Sequence, residues 1–380
     1  MTPAQHTPPV PPVPPPAPSS APAPSSALAS ASAPAPSSAS APGTATLRDV
    51  AELAGVSIRT VSNVVNASVP VREPTRRRVE DAVATLGYRP NLAARRLRSG
   101  RAQAIGLAVP DVTVPYFREL ADAVLAAARV RGMAVVVEQT HGDLERERAA
   151  PLSPRLRHVD GVILAAVSMT EPDFQAMRGP APVVLAGSSV RSDAVDSVTP
   201  DAYAAGRAIA RHLLATGRRR PAVILPGDTH WPPEHDDRYA GFVAGLADAG
   251  IALPAHRVIA AEAVTHGSGA DAARELRLDR PEFDALYALG DTLALGALRA
   301  LHAAGLSVPG DVAVVGFGDI EQSAHSNPTL TTVDTGRQTI AEQAVALIAA
   351  RVESPAARQA PPRRLTVDFR LVERESTRVP

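Results

Sequence analysis

Arg59 and Asn63, within Ser57–Asn63 (SIRTVSN), are of the residue types that read a DNA duplex. An arginine fork reaches guanine edges and a carboxamide pairs with adenine, both in the major groove. Ser57, Ile58 and Ser62 stand with them on or near the outer face of one expected helix. Arg76, Arg77 and Arg78 suit phosphates, contacts that position a protein without reading sequence. The same pattern also fits a small helical module that binds another protein, and the residues alone leave both readings open.

These side chains need a helical frame. Thr46 is placed to cap a helix from Leu47, with Asp49 three residues on as a short capping box and Gly55 as its stop. Leu47, Val50, Ala51, Leu53 and Ala54 give that helix an apolar face. Gly55-Val56-Ser57 makes a tight turn, and Ser57 caps a second helix anchored by Val56, Val61, Val64 and Val65. A third helix is expected from Glu73 to Leu86, with Val79, Ala82, Val83 and Leu86 on one face and Gly87 ending it. The first two helices form a candidate helix-turn-helix. A short helical stretch, Leu92 to Arg98, follows the Tyr88-Arg89-Pro90-Asn91 break.

The formal charge is zero over 380 residues, with 39 basic and 39 acidic side chains, but it is unevenly spread. Residues 44–100 hold ten arginines against five acids, and the rest of the chain carries the compensating acidic excess. A small basic module on an acidic body is an electrostatic layout for DNA binding. Residues 1–43, almost wholly Pro, Ala and Ser, cannot bury enough apolar surface to order themselves and are expected to be a disordered tail. Pro8–Pro16 within it reads as a polyproline ligand or as a biased extension without a partner. The absence of cysteine excludes disulfides, a thiol nucleophile and thiolate metal sites. With no apolar run of membrane length and no basic-then-apolar leader, a cytoplasmic protein without a membrane partner is expected.

From Arg101 the pattern becomes apolar strands alternating with helices: Ile105–Asp111, Met133–Gln139, Gly161–Val167, Pro182–Ser188, Pro221–Gly227, Ala285–Gly290 and Val312–Gly318. Helices are expected at Phe117–Arg131, Ala202–Thr216, Tyr239–Ala249, Thr292–Ala304 and near Thr339–Ala350, with a last strand Arg364–Val372. Such a pattern implies α/β architecture with parallel sheets covered on both faces, here in two subdomains.

The segments TLRDVAELAGVSIRTVSNVVN and VREPTRRRVEDAVATLGYRPNLAARRLRSG resemble the headpiece of the LacI/GalR family of bacterial regulators, continuously over Thr46–Gly100. Looser similarity follows in VPDVTVPYF, GDLERER, DGVIL, PVVLAG, RYAGF, GDTLALGAL, VPGDVAVVGFGDI and NPTLTTV, leaving only the tail uncovered. After the compositionally disordered tail (1–43), the resemblance implies a helix-turn-helix headpiece (44–90), a hinge helix (91–100) and a two-lobed periplasmic-binding-protein-like effector and dimerisation domain (101–380).

It places Ile58, Arg59 and Asn63, beside Ser57, where the family reads base edges, with Ile58 near a thymine methyl. Arg76, Arg77 and Arg96 are the implied phosphate contacts. Leu97 matches the lever that wedges into the minor groove, with Ala94 and Arg98 beside it. On residue type alone, Leu97 reads as an ordinary core leucine.

The resemblance further implies a small-molecule effector, carbohydrate in character, between the lobes. Tyr116 and Phe117 match an aromatic wall, and Arg238 matches an arginine that bonds effector oxygens. By residue type Arg238 equally suits a surface salt bridge with Asp236 or Asp237. Trp231 is a candidate for stacking on a sugar face, and Asp291 for an effector contact or a structural cap. Gly290 and Gly318 depart from the family, which has Asn or Ser and an acid there; Asp319 is the expected substitute for that acid. Pro151 and Pro154 interrupt a region where a helix is usual.

An enzyme and an exported solute-binding protein are the competing classes. No Walker loop, dinucleotide fingerprint, HExxH or nucleophile elbow is present, so no catalytic residue, cofactor or metal is expected. His141, His230, His235 and His266 lack metal-ligand spacing and read as exposed loop residues. An exported binding protein would not need the basic headpiece. The expected function is a repressor that binds a pseudo-palindromic operator as a homodimer, with effector binding shifting a two-state equilibrium.

Overall fold

The computed structural model describes residues 45–66, 69–88, 102–177, 179, 181–187, 192–227 and 233–378. The expected tail and the expected hinge helix lie outside these residues. The chain divides into two compact units, one up to Pro90 and one from Asn91.

In the first unit, α1 (Leu47–Ala54) opens on a capping box: the Asp49 carboxylate accepts from the Thr46 N–H at 2.7 Å, and Thr46 Oγ1 accepts from the Asp49 N–H at 3.4 Å. Gly55 ends α1 at φ 62°, a left-handed conformation costly for residues with a Cβ. Ser57 Oγ accepts from the Thr60 N–H at 3.1 Å and starts α2 (Ile58–Asn66). α3 (Glu73–Leu86) follows. Val50, Ala51, Ala54, Val61, Val79, Ala82 and Tyr88 form the shared core. Leu86, expected in that core, is 36% exposed. After Gly87 the chain turns, the Tyr88 N–H bonds the Val83 carbonyl at 3.0 Å, and Tyr88 fills the core instead.

The second unit contains two lobes. The N-lobe sheet is built from β1 (Ala104–Val109), β2 (Ala134–Gln139), β3 (Gly161–Leu164), β4 (Val183–Ala186), β5 (Asp196–Pro200) and β11 (Arg364–Val367). They pair in parallel in the order β11-β5-β4-β3-β1-β2. α4 (Pro115–Val130) and α11 (Arg337–Glu353) pack on it, while α5 (Leu144–Ala149) and α6 (Glu171–Ala176) are short. α5 gives way at Ala150–Leu152 to a single tight turn where Pro151 cannot continue the hydrogen bonding. β2 is not covered on both faces as expected: it is the sheet edge, and Val137 is 36% exposed.

The C-lobe sheet has the parallel order β7-β6-β8-β9, from β6 (Pro221–Pro226), β7 (Val258–Ala261), β8 (Ala285–Ala288) and β9 (Ala313–Val315). Its helices are α7 (Ala202–Ala215), α8 (Asp237–Ala247), α9 (His266–Glu275) and α10 (Asp291–Ala303). A short antiparallel pair, β10 (Thr332–Asp334) and β12 (Arg370–Val372), completes it.

The chain changes lobe three times, at Asp201, at Thr335–Gly336 and at Asp368–Phe369. The expected single strand Arg364–Val372 is therefore two: β11 belongs to one lobe and β12 to the other. At the second crossing Gly336 has φ 70°, and a Cβ there would lie 2.7 Å from Val367 Cγ1. No helix among the described residues is long and apolar enough to cross a membrane.

Candidate DNA-reading face and effector cleft

The helix-turn-helix geometry leaves Ser57, Ile58 and Arg59 exposed at the start of α2, while Val61 is fully buried beneath them. Ile58 is 44% exposed, a large apolar side chain turned to solvent. Asn63 and Ser62 lie a turn further along, partly buried. Arg76 and Arg77 are exposed on the first turns of α3, where Glu73 reaches them at 3.7 and 3.2 Å. Exposed pairs of this kind hold weakly and release readily to a stronger anion. Ala94, Arg96, Leu97 and Arg98 lie outside the described residues.

A cavity of about 410 Å³ lies between the lobes, at the carboxyl ends of both sheets. Its N-lobe wall comes from the segment after β1 (Asp111, Tyr116, Phe117), from His141 after β2 and from Ala165–Val167 after β3. Its C-lobe wall comes from Arg238 on α8, Ala263–His266 after β7, Leu289–Leu293 after β8, and Phe317 and Ile320 after β9. Four of the five expected effector residues, Tyr116, Phe117, Arg238 and Asp291, thus meet on one cavity.

Arg238 is held from below. Its Nε donates to the Asp236 carboxylate at 2.9 Å, Nη2 donates to the same carboxylate, and Nη1 donates to the Leu289 carbonyl at 2.7 Å. Asp236 is buried, and its Oδ1 also accepts the Arg238 N–H at 2.9 Å, starting α8. The salt bridge expected as an alternative is therefore present, but inside the cleft rather than on the surface. Three of the five guanidinium N–H groups are accounted for, and the orientation is rigid. Phe317 lies under the guanidinium, 5.5 Å from ring centroid to Cζ.

Asp291 begins α10, but its carboxylate turns into the protein. It accepts from Thr332 Oγ1 at 2.5 Å, Ser323 Oγ at 2.8 Å and the Ile320 N–H at 3.0 Å. Burial pushes its pKa up to about 6 against these hydrogen bonds, which act downward. The structural alternative fits its geometry: it ties α10 to β10 and to the segment after β9.

Asp319, the expected stand-in for the missing acid, does not line the cavity. Its carboxylate bonds Arg374 Nη2 at 2.7 Å, which draws it toward the chain end and away from the cleft. The corner left by Gly318 is filled by Tyr116. A Cβ on Gly318, whose φ is 130°, would lie 3.2 Å from Tyr116 Cδ2 and 3.8 Å from Asp291 Oδ2. An acid here would crowd the ring and face a second carboxylate. Burial raises the Tyr116 phenol pKa, so the ring is neutral at ordinary pH.

His141 is the exposed loop residue expected, whereas His266 lies in a helix rather than a loop. Both are exposed, but both stand on the cleft, one from each lobe. His141 has φ 57°, uncommon for a residue with a side chain, and His266 opens α9, a helix not among those expected. Trp231 and His230 lie outside the described residues. Glu147 was not foreseen at all. It is fully buried and accepts the N–H groups of Val167, Ser168 and Met169 at 2.9, 3.0 and 3.1 Å, fixing one wall of the cavity from behind. The GDLERER segment contains it, but alternating charges there do not single out one buried acid. Among the described residues, no group of three His, Asp or Glu is placed to hold a metal.

The family described as "Bacterial regulatory proteins, lacI family" matches residues 46–91, and "Periplasmic binding protein-like domain" matches residues 210–377. The HTH-type transcriptional repressor PurR of Yersinia enterocolitica is 30% identical over 333 residues, covering 87% of this chain and 96% of its own length. This chain belongs to the LacI family of bacterial regulatory proteins. Among solved structures, a LacI-family regulator from Sanguibacter keddieii is 40% identical, with 73% of this chain and 99% of that one covered and a TM-score of 0.65. The lac repressor dimer bound to operator and an anti-inducer is 27% identical, with coverage of 88% and 99% and a TM-score of 0.74. The CelR–cellobiose complex is 31% identical, with coverage of 87% and 99% and a TM-score of 0.62. These LacI-family relatives are DNA-binding regulators rather than enzymes, and the partly buried Arg238 and the aromatic wall of this chain line a cleft on that same scaffold.

Proposed function

We propose that this protein is a homodimeric repressor. Residues 44–90 act as its headpiece, 91–100 as its hinge helix and 101–380 as its effector and dimerisation domain. Arg59 and Asn63 read bases, with Ser57 and Ile58 beside them. Arg76, Arg77 and Arg96 hold phosphates, while Ala94, Leu97 and Arg98 enter the minor groove of a pseudo-palindromic operator. The observation that carries this reading is the exposed polar and apolar start of α2, Ser57-Ile58-Arg59, set on a buried valine core.

The cleft takes a small carbohydrate-like molecule against Tyr116, Phe117 and Arg238. The pinned arginine fork suits hydroxyl or carboxylate oxygens, flat aromatic walls suit a sugar face, and the related CelR is known bound to cellobiose. The exposed β2 edge with Val137, together with Leu125 and Val130 on α4, supplies an apolar face for the second protomer. Selection of genomic fragments by purified protein, followed by titration with a panel of sugars, tests both halves. Recovery of two-fold-related half-sites whose affinity shifts with one sugar supports them, and the absence of any preferred sequence at moderate salt sinks the DNA half.

A further inference from the structure

Arg337 is the first residue of α11, immediately past the second lobe crossing. Its guanidinium donates to the Gly318 carbonyl and, at 2.8 Å, to the Asp319 carbonyl, both in the C-lobe turn after β9. The same group pairs at 2.8 Å with Glu119 on α4 of the N-lobe. The other oxygen of Glu119 accepts the Glu321 N–H of the C-lobe at 3.1 Å. Arg337 and Glu119 are 17% and 20% exposed, sheltered enough for their attraction to exceed that of a surface pair. The guanidinium also sits 5.6 Å from the ring centroid of Tyr116, a wall of the cleft.

We propose that Arg337 and Glu119 form a latch across the lobe boundary and that Tyr116 links this latch to the cleft. Two lobes joined by three crossings rotate about those crossings, and a charged link beside one of them favours one arrangement. A ligand that shifts the Tyr116 ring moves the cation lying on it, and with it the carbonyls of Gly318 and Asp319. Gly318 makes room for this, because a side chain there would press on Tyr116. Arg337 and Glu119 are thus positioning residues: they set the lobe arrangement that the effector biases.

This inference rests on the operator-binding reading only for its second readout. The chain contains no cysteine, so a pair introduced at exposed Arg155 in the N-lobe and Glu275 in the C-lobe carries spin labels cleanly. Distances are measured in full-length protein diluted with unlabelled protomer, for the parent, R337M, E119Q, the double variant, and R370M as a control. R370M removes the exposed pair with Asp334 at the same crossing. R337M and E119Q are expected each to shift or broaden the inter-lobe distance, the double variant no more than either alone, and R370M not at all. If R337M fails to fold by thermal melting, E119Q decides alone. An unchanged distance in the folded variants overturns the latch. On a selected operator without ligand, the latch variants are expected to change affinity by about tenfold or more. A shifted distance with unchanged affinity overturns the link to DNA binding. If the parent protein prefers no operator, the DNA reading fails, and the distances still judge the latch.

Discussion

The start of α2 and the wall of the cleft hold their polar groups in opposite ways. On α2, Ser57, Ile58 and Arg59 are exposed, and the nearby polar contacts are short in sequence, such as Ser57 to Thr60 and Glu73 to Arg77. In the cleft, Arg238 and Asp291 are already bound by the protein, Arg238 to Leu289 and Asp291 to Thr332, contacts that span many residues. The headpiece can lose one of these exposed side chains and keep its fold. In the cleft, the groups that line the cavity also hold the fold together.

The largest expected effect is at Arg238. Replacing it with alanine leaves Asp236, 3% exposed, without its cation, and removing one partner of a buried pair costs on the order of 3–5 kcal/mol. Urea unfolding of R238A checks this, and a change below about 1 kcal/mol would dissolve the contrast between the two regions.

Next come Arg59 and Asn63. R59A and N63A are each expected to lose ~1–3 kcal/mol of discrimination between operator and random DNA. The unfolding free energy of R59A should stay within about 0.5 kcal/mol of the parent, as for a surface position. Paired competition and unfolding titrations separate the two numbers. Equal weakening on all sequences would reassign these residues to phosphates.

Asp291 sharpens the comparison through pH. Its pKa of about 6, against an ordinary 3.8, means that the folded state holds the proton more tightly than the unfolded state. Its contribution to stability is therefore fullest at low pH, falls as pH rises from about 4 to about 6, and levels off above. The difference in unfolding free energy between the parent and D291N should follow that course, and a flat difference over this window would contradict the buried, cation-free carboxyl. The smallest effect is at Arg76 and Arg77. Either alanine variant should reduce the slope of log affinity against log salt by about one and leave sequence preference unchanged.

The same contrast governs how much was legible beforehand. Thr46, Gly55, Ser57 and Gly87 act within a turn of themselves, so caps and stops in the headpiece follow from local chemistry. Alternating apolar segments likewise mark most of both sheets. β5 escaped because DSVTP has a single large apolar residue, Val198, and its buried Asp196 is satisfied from far along the chain, by Arg351 at 2.6 Å and by the Arg363 N–H at 2.7 Å. Arg364–Val372 read as one strand because periodicity does not record a change of lobe. In the cleft, the family resemblance pointed to Tyr116, Phe117, Arg238 and Asp291. Which way Asp291 turns, and that Arg374 claims Asp319, depend on partners that pattern cannot place.

The most direct test of the account is a pair of binding isotherms on one genomically selected operator, with and without the sugar that the neighbouring genes process. Tight, two-fold-symmetric binding is expected, which this ligand shifts in the parent protein and fails to shift in a Tyr116→Ala variant that still binds the operator. An operator affinity indifferent to every ligand in the parent, or a ligand response untouched by Tyr116→Ala, would contradict it.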